Sequence, residues 1–119
     1  MSAPATRIIG WLAVLSIVVL SLVPGRLRPH VLSNNYEEHF VAYIVVGCLL
    51  AAGYPALRQR LAFGVVLAVG AASLEVAQLF IVGRTSSIED FTFSVLGAWI
   101  GLHLSASVRG LFGRLSKVV

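Results

Sequence analysis

The stretch Glu75-Val-Ala-Gln-Leu-Phe-Ile-Val-Gly-Arg-Thr-Ser-Ser-Ile-Glu-Asp90 closes one long apolar run and opens another, through a short polar turn holding Gly83 and Arg84. Glu75 and Gln78 lie inside the first run at a spacing of three, which puts them on one face of a helix. An ionisable group inside an apolar span is costly and marks a candidate functional site.

The composition agrees with such apolar spans. Of 119 residues, 58% are hydrophobic and 12% charged, and the mean hydropathy is +0.92. A soluble domain carries about 25% charge, so this chain has too little polar surface to coat a water-facing core. Its length bounds it to a single domain, residues 1–119. The net charge of +4 does not indicate nucleic acid, because the basic residues flank apolar runs and form no patch interleaved with aromatics. They read as topology signals facing anionic lipid. The single cysteine, Cys48, lies inside an apolar run and rules out an internal disulfide.

Four apolar runs are expected as helices, at about 8–23, 36–57, 61–82 and 88–108. The first is preceded by Arg7 and stopped by Pro24-Gly25; no clear Ala-x-Ala site follows it, so a retained helix is expected rather than a cleaved signal. Arg58-Gln59-Arg60 is expected as a tight basic turn, and the segment after Val108 as a short basic tail. The fold class is therefore all-α, a polytopic membrane protein built as a four-transmembrane-helix bundle. If the spans alternate, Arg7, Arg58, Arg60, Arg109, Arg114 and Lys117 share one side, and Arg26, Arg28 and Arg84 the other. The positive-inside rule then puts both termini in the cytoplasm of a multi-pass protein of the cell inner (plasma) membrane. All five acids, Glu37, Glu38, Glu75, Glu89 and Asp90, fall in the outer half.

Three helices carry a small-residue face headed by a polar group. Asp90 leads to Ser94, Gly97, Gly101 and Ser105; Glu75 leads back to Ala71, Ala68 and Gly64; His39 leads to Tyr43, Gly47 and Ala51. Small residues at helical spacing let membrane helices approach closely. The faces that pack are thus the faces that carry the polar groups, which should converge near the outer end.

Each candidate has a structural alternative. Glu75, about seven residues or roughly 10 Å inside its helix end, is a candidate proton donor or acceptor, or else a carboxylate bonded to Tyr43 or Gln78. His39 is a candidate proton shuttle beside Glu38, although Asn35-x-x-Glu38 resembles a capping pair. Ser87-x-x-Asp90 and Ser86-x-x-Glu89 both match a capping box; Asp90 continues onto the small-residue face, so capping falls to Glu89 and the site to Asp90. Arg84 is a candidate clamp for a phosphate or carboxylate, or a salt-bridge partner of Asp90. Arg26 and Arg28 read as headgroup contacts. Glu38, His39, Glu75 and Asp90 have no recognised metal-ligand spacing, so no metal and no cofactor is expected. No nucleophile elbow, phosphate-cradling glycine loop or nucleotide motif is present in the sequence.

His39-Phe40-x-Ala42-Tyr43-x-x-x-Gly47 resembles the first signature of the VanZ-like membrane proteins. Glu75-x-x-Gln78-x-Phe80-x-x-Gly83-Arg84-x-x-x-x-x-Asp90-x-x-x-x-x-x-Gly97 resembles the second, and together they span about 35–102. The chain departs from the family at Asn35-Tyr36, where Asp-Lys is frequent, at Val82, where Pro is frequent, and at Ser94, where Asn is frequent. The resemblance implies an envelope-associated membrane protein of a family named for a teicoplanin-resistance protein.

Two functions are compatible with these residues. In one, an outer-face pocket binds or processes a lipid-linked or amphipathic envelope molecule and affects glycopeptide (teicoplanin-type) sensitivity. Glu75 and His39 are then the acid/base candidates, Arg84 the anion clamp, Gln78 and Tyr43 the orienting groups, and Asp90 a further ligand-binding group. The expected partners are membrane lipids, a lipid-linked envelope precursor or glycopeptide, and a membrane-protein partner, with no nucleic acid. In the other, the chain is a non-catalytic accessory or structural subunit of a larger membrane complex. Whether the chain is an enzyme stays open at this point.

Overall fold

The computed structural model describes residues 3–24, 35–83 and 87–118. Among these residues the structure is all helical: α1 (Ala3–Leu22), α2 (Asn35–Gly53), α3 (Leu57–Gln78) and α4 (Ile88–Val118). No strand occurs among them.

The four helices fall close to the expected runs, and the differences at their ends share one cause. Apolarity marks where a chain wants to be dry, whereas helix ends are set by backbone hydrogen bonds. Helix α1 starts well before Ile8, because Pro4 is tolerated in a first turn and Arg7 is a good helix former. Helix α2 stops at Gly53 rather than at 57, since Tyr54 precedes Pro55 and a residue before proline is pushed out of the helical region. The expected basic turn at Arg58-Gln59-Arg60 is instead the first turn of α3. Ala56 is extended at φ −63°, ψ 141°, and its N–H donates to Gln59 Oε1 at 3.3 Å, the reach-back half of a capping box. Helix α3 ends at Gln78, not at 82. The N–H groups of Leu79, Phe80 and Ile81 turn to carbonyls three residues back, and Gly83 takes φ 77°. Helix α4 continues past Val108 through the expected basic tail to Val118, with Lys117 in its last turn, where a cation suits the helix dipole.

The helices alternate in direction. At one end the start of α1 meets the end of α2 and the start of α3. Arg7 Nε donates to the Gly53 carbonyl at 2.9 Å, and its guanidinium lies over the Tyr54 ring at 4.6 Å. Trp11 Nε1 donates to the Tyr54 hydroxyl at 3.0 Å, and Phe63 packs on both rings. Arg60 Nη1 donates to His103 Nδ1 at 2.9 Å, joining α3 to α4 at the same end. At the opposite end lie Ser21, His39, Glu75, Gln78 and Asp90. Helices α2 and α4 consequently run parallel, as do α1 and α3.

The α2–α4 pair forms the closest seam. A Cβ at Gly97 would sit 2.5 Å from the Phe40 carbonyl oxygen, and one at Gly47 would sit 2.6 Å from that of Ala98. A Cβ at Gly101 would collide with the Ile44 carbonyl. Gly64 of α3 holds the Trp99 ring of α4, where a Cβ would come to 2.5 Å. The three small-residue faces expected from spacing are therefore the packing faces, although the side chain of Ser105 lies outside those described. The core is Tyr43, Val46, Leu50, Ala51, Leu67, Ala71, Ala98 and Leu102.

Beside this apolar core the helices bury several polar groups and expose many large apolar ones. Thr6, Ser21, Glu75, Gln78, Asp90 and Ser94 are buried, while Ile8, Leu12, Leu15 and Val19 of α1 and Val65, Val66, Val69 and Val76 of α3 are exposed. Segments Pro4–Leu22 and Leu57–Gln78 are long and apolar enough to cross a membrane by length and composition.

Candidate functional site

At the end opposite Arg7, three helices each contribute one side chain to a common space. His39 stands in the first turns of α2, Glu75 in the last turn of α3 and Asp90 in the first turn of α4. Glu75 is 8% exposed and Asp90 4%, and His39 is half-buried. One ligating atom of each lies within 4.8 Å of the others. The His39 Nε2 to Glu75 Oε1 separation is 3.9 Å, close enough for electrostatic attraction and too long for a hydrogen bond. Because α3 ends at Gln78, Glu75 sits one turn from its helix end rather than deep inside it, which corrects the depth expected from the apolar run.

A carboxylate in the last turn of its own helix faces the negative end of that helix's dipole. The neighbouring helix offsets this. The backbone N–H of Ser87 donates to Glu75 Oε2 at 3.1 Å, so Glu75 accepts one of the orphan donors at the start of α4. The starts of α2 and α4, both positive dipole ends, lie at this end of the molecule.

The same bond explains Asp90. Ser87 Oγ accepts from Asp90 N–H at 3.0 Å, the forward half of a capping box. The return bond from the Ser87 N–H goes to Glu75, so the Asp90 carboxylate is released from the cap and turns inward. Glu89 is exposed, and Ser86, its expected capping partner, lies outside the described residues. Below Asp90, Ser94 Oγ donates to the Asp90 carbonyl at 2.7 Å. Tyr43 is buried beside Ser94 and lies within electrostatic reach of Glu75.

Of the residues singled out in the sequence, His39, Tyr43, Glu75 and Asp90 come together. Gln78, expected as an orienting group, lies at the same end and faces α1. It is 2% exposed, and its Nε2 donates to the Ser21 carbonyl of α1 at 3.1 Å, tying α3 to α1. Arg84, the expected anion clamp, lies outside the described residues, as do Arg26 and Arg28. Ser87 and Ser94 join the site as supports. Ser94 was visible as a member of the α4 small-residue face, and Ser87 only as a cap.

On the flank of the cluster, Ala72, Glu75, Ser87, Ile88 and Phe91 line a shallow open groove of about 290 Å³ between α3 and α4. The walls are apolar apart from Glu75 and Ser87. Glu75 thus belongs both to the buried cluster and to a surface reachable from outside. Such an arrangement can bind a hydroxyl or a cation, or move a proton between a bound group and His39.

The fold and the site define a class: a small all-α protein whose helices expose apolar faces, with a cluster of half-buried His39 and buried Glu75 and Asp90 at one end. Searches against protein families, curated proteins and solved structures found no match to this chain.

Proposed function

We propose that this chain is a VanZ-like, multi-pass protein of the cell inner (plasma) membrane, its four helices all spanning the bilayer with both termini cytoplasmic. Its polar cluster forms a pocket at the outer face that binds or processes a lipid-linked or amphipathic envelope molecule. The observation that carries this reading is Glu75, buried at the centre of the polar end and also lining an open, apolar groove. Glu75 lies in the last turn of α3, and an ionisable residue within a membrane segment is costly and marks a functional position by default. An apolar groove with one carboxylate suits a molecule with an acyl or prenyl body and a hydroxyl- or amine-bearing head.

The exposed apolar faces of α1 and α3 support membrane embedding. Helix α4, at 31 residues, is roughly 46 Å long, more than the ~30 Å of the hydrocarbon core, and its basic end would project into the cytoplasm. In this reading Glu75 and His39 exchange the proton, Tyr43 and Asp90 hold the head group, Gln78 anchors α1 behind the site, and Arg84 clamps an anionic group. A second reading, a non-catalytic accessory subunit of a larger membrane complex, is favoured by the Glu75–Ser87 and Gln78–Ser21 bonds, which join separate helices. Interhelical bonds of this kind contribute only about 0.6–2 kcal/mol each, so glue alone does not call for a carboxylate.

The test is envelope-antibiotic sensitivity in an expressing strain, with a teicoplanin-type glycopeptide first. Glu75→Gln is expected to insert normally and abolish the wild-type effect; Arg84→Lys is expected to impair it, because an ammonium cannot grip an anion bidentately. Arg109→Lys is the silent control. Full effect from both Glu75→Gln and Arg84→Lys at wild-type expression would replace this reading with the accessory-subunit one.

A further inference from the structure

We infer that His39, Glu75 and Asp90 form a binding site for one divalent transition-metal ion, Zn2+ by its donor chemistry. Three donor atoms within 4.8 Å of one another lie no more than about 2.8 Å from a common centre. Each therefore needs to move inward by only roughly 0.7 Å to reach the ~2.1 Å of zinc–imidazole and zinc–carboxylate bonds. The 3.9 Å between His39 Nε2 and Glu75 Oε1 is already shorter than the ~4.2 Å that two such bonds can span.

The surroundings fit a metal site in three further respects. Outer-shell partners hold metal ligands in orientation, and the Ser87 N–H holds Glu75 Oε2, leaving Oε1 toward His39. A route in exists, since Glu75 also lines the open groove between α3 and α4. One turn further along α3, the buried Gln78 Oε1 has no hydrogen-bond partner. Among the described residues, this end of the protein thus has a buried acceptor without a partner. Two buried carboxylates brought this close repel one another, and a divalent cation between them neutralises both.

The donor set selects the ion. One imidazole and two carboxylates suit a first-row divalent metal, whereas Ca2+ takes six to eight oxygens. Three protein ligands leave a fourth position for water or a ligand group. The site is invisible to motif searching because its ligands come from three helices, not from one short segment.

The experiment uses the full chain purified in detergent and stripped with EDTA. Zn2+ is titrated by calorimetry, and Co2+ by its visible d–d bands as a spectroscopic substitute. One ion per chain is expected. Glu75→Gln, Asp90→Asn and His39→Gln should each weaken binding at least tenfold, with helicity by circular dichroism unchanged. Glu89→Gln, on the exposed side of the same turn, should bind as wild type. The inference is overturned if the folded wild-type protein takes up no stoichiometric Zn2+, or if Glu75→Gln and Asp90→Asn bind it as tightly as wild type. Metal binding is read here without any envelope phenotype, so this result and the test of the proposed function can fail separately.

Discussion

At the scale of single residues, Ser87 organises the polar end by splitting its bonds between two helices. Its hydroxyl caps α4 through the Asp90 N–H, and its own N–H holds Glu75. These two contributions separate by mutation. Ser87→Ala removes the cap and is expected to lower stability by about 1 kcal/mol. It leaves the Glu75 bond in place, because that donor is backbone. Thermal unfolding of the purified protein should therefore shift modestly, while Zn2+ affinity stays within a few-fold of wild type. A loss of metal binding equal to that of Glu75→Gln would mean that the hydroxyl, not the amide, positions the carboxylate.

At the scale of elements, the α2–α4 seam depends on backbones that touch where side chains would normally stand. At Gly97 the obstacle to a Cβ is the Phe40 carbonyl, and at Gly101 it is the Ile44 carbonyl. Neither can swing aside like a flexible side chain, so the helices must separate. Gly97→Ala and Gly101→Ala are each expected to destabilise by about 1–3 kcal/mol or more. Gly70, on α3, has open space where its Cβ would go. Gly70→Ala is expected to be neutral or to stabilise by up to about 1 kcal/mol through helix propensity alone. Denaturation of the three variants in one detergent checks the order. The periodicity of these glycines was legible in the sequence; which carbonyl each one meets was not, since that depends on the axial offset between two helices.

At the scale of the whole molecule, charge and polarity divide the protein between two ends. Arg7 and Arg60 belong to the aromatic-rich end with Trp11, Tyr54 and Phe63, and the buried acids belong to the other. Trp, Tyr and Arg in such a belt suit a headgroup layer. On the proposed topology the Arg7 end is cytoplasmic. Single cysteines at Thr85 and at the exposed Ala56, in a Cys48→Ser background, test this with a membrane-impermeant maleimide. Position 85 should label in intact cells and position 56 only after permeabilisation. Labelling of position 56 in intact cells would reverse the orientation.

The sequence alone determined four helices, their approximate places, the faces on which three of them pack, and Glu75 and Asp90 as polar groups on those faces. Each of these follows from spacing within one helix, where a period of 3.6 residues converts chain order directly into geometry. The helix ends were less legible. Apolar residues continue past the last helical hydrogen bond at Leu79–Val82, and helical bonds continue past the last long apolar run after Val108. Only the tertiary structure decided the partners. Ser87 reaches Glu75 across 12 residues, Arg7 reaches Gly53 across 46, and Gln78 reaches Ser21 across 57. The convergence of His39, Glu75 and Asp90 was expected from the small-residue faces they head, but the distances between them were not. Spacing along one helix shows which groups share a face, whereas their separation across three helices is set by which helix lies beside which and at what height.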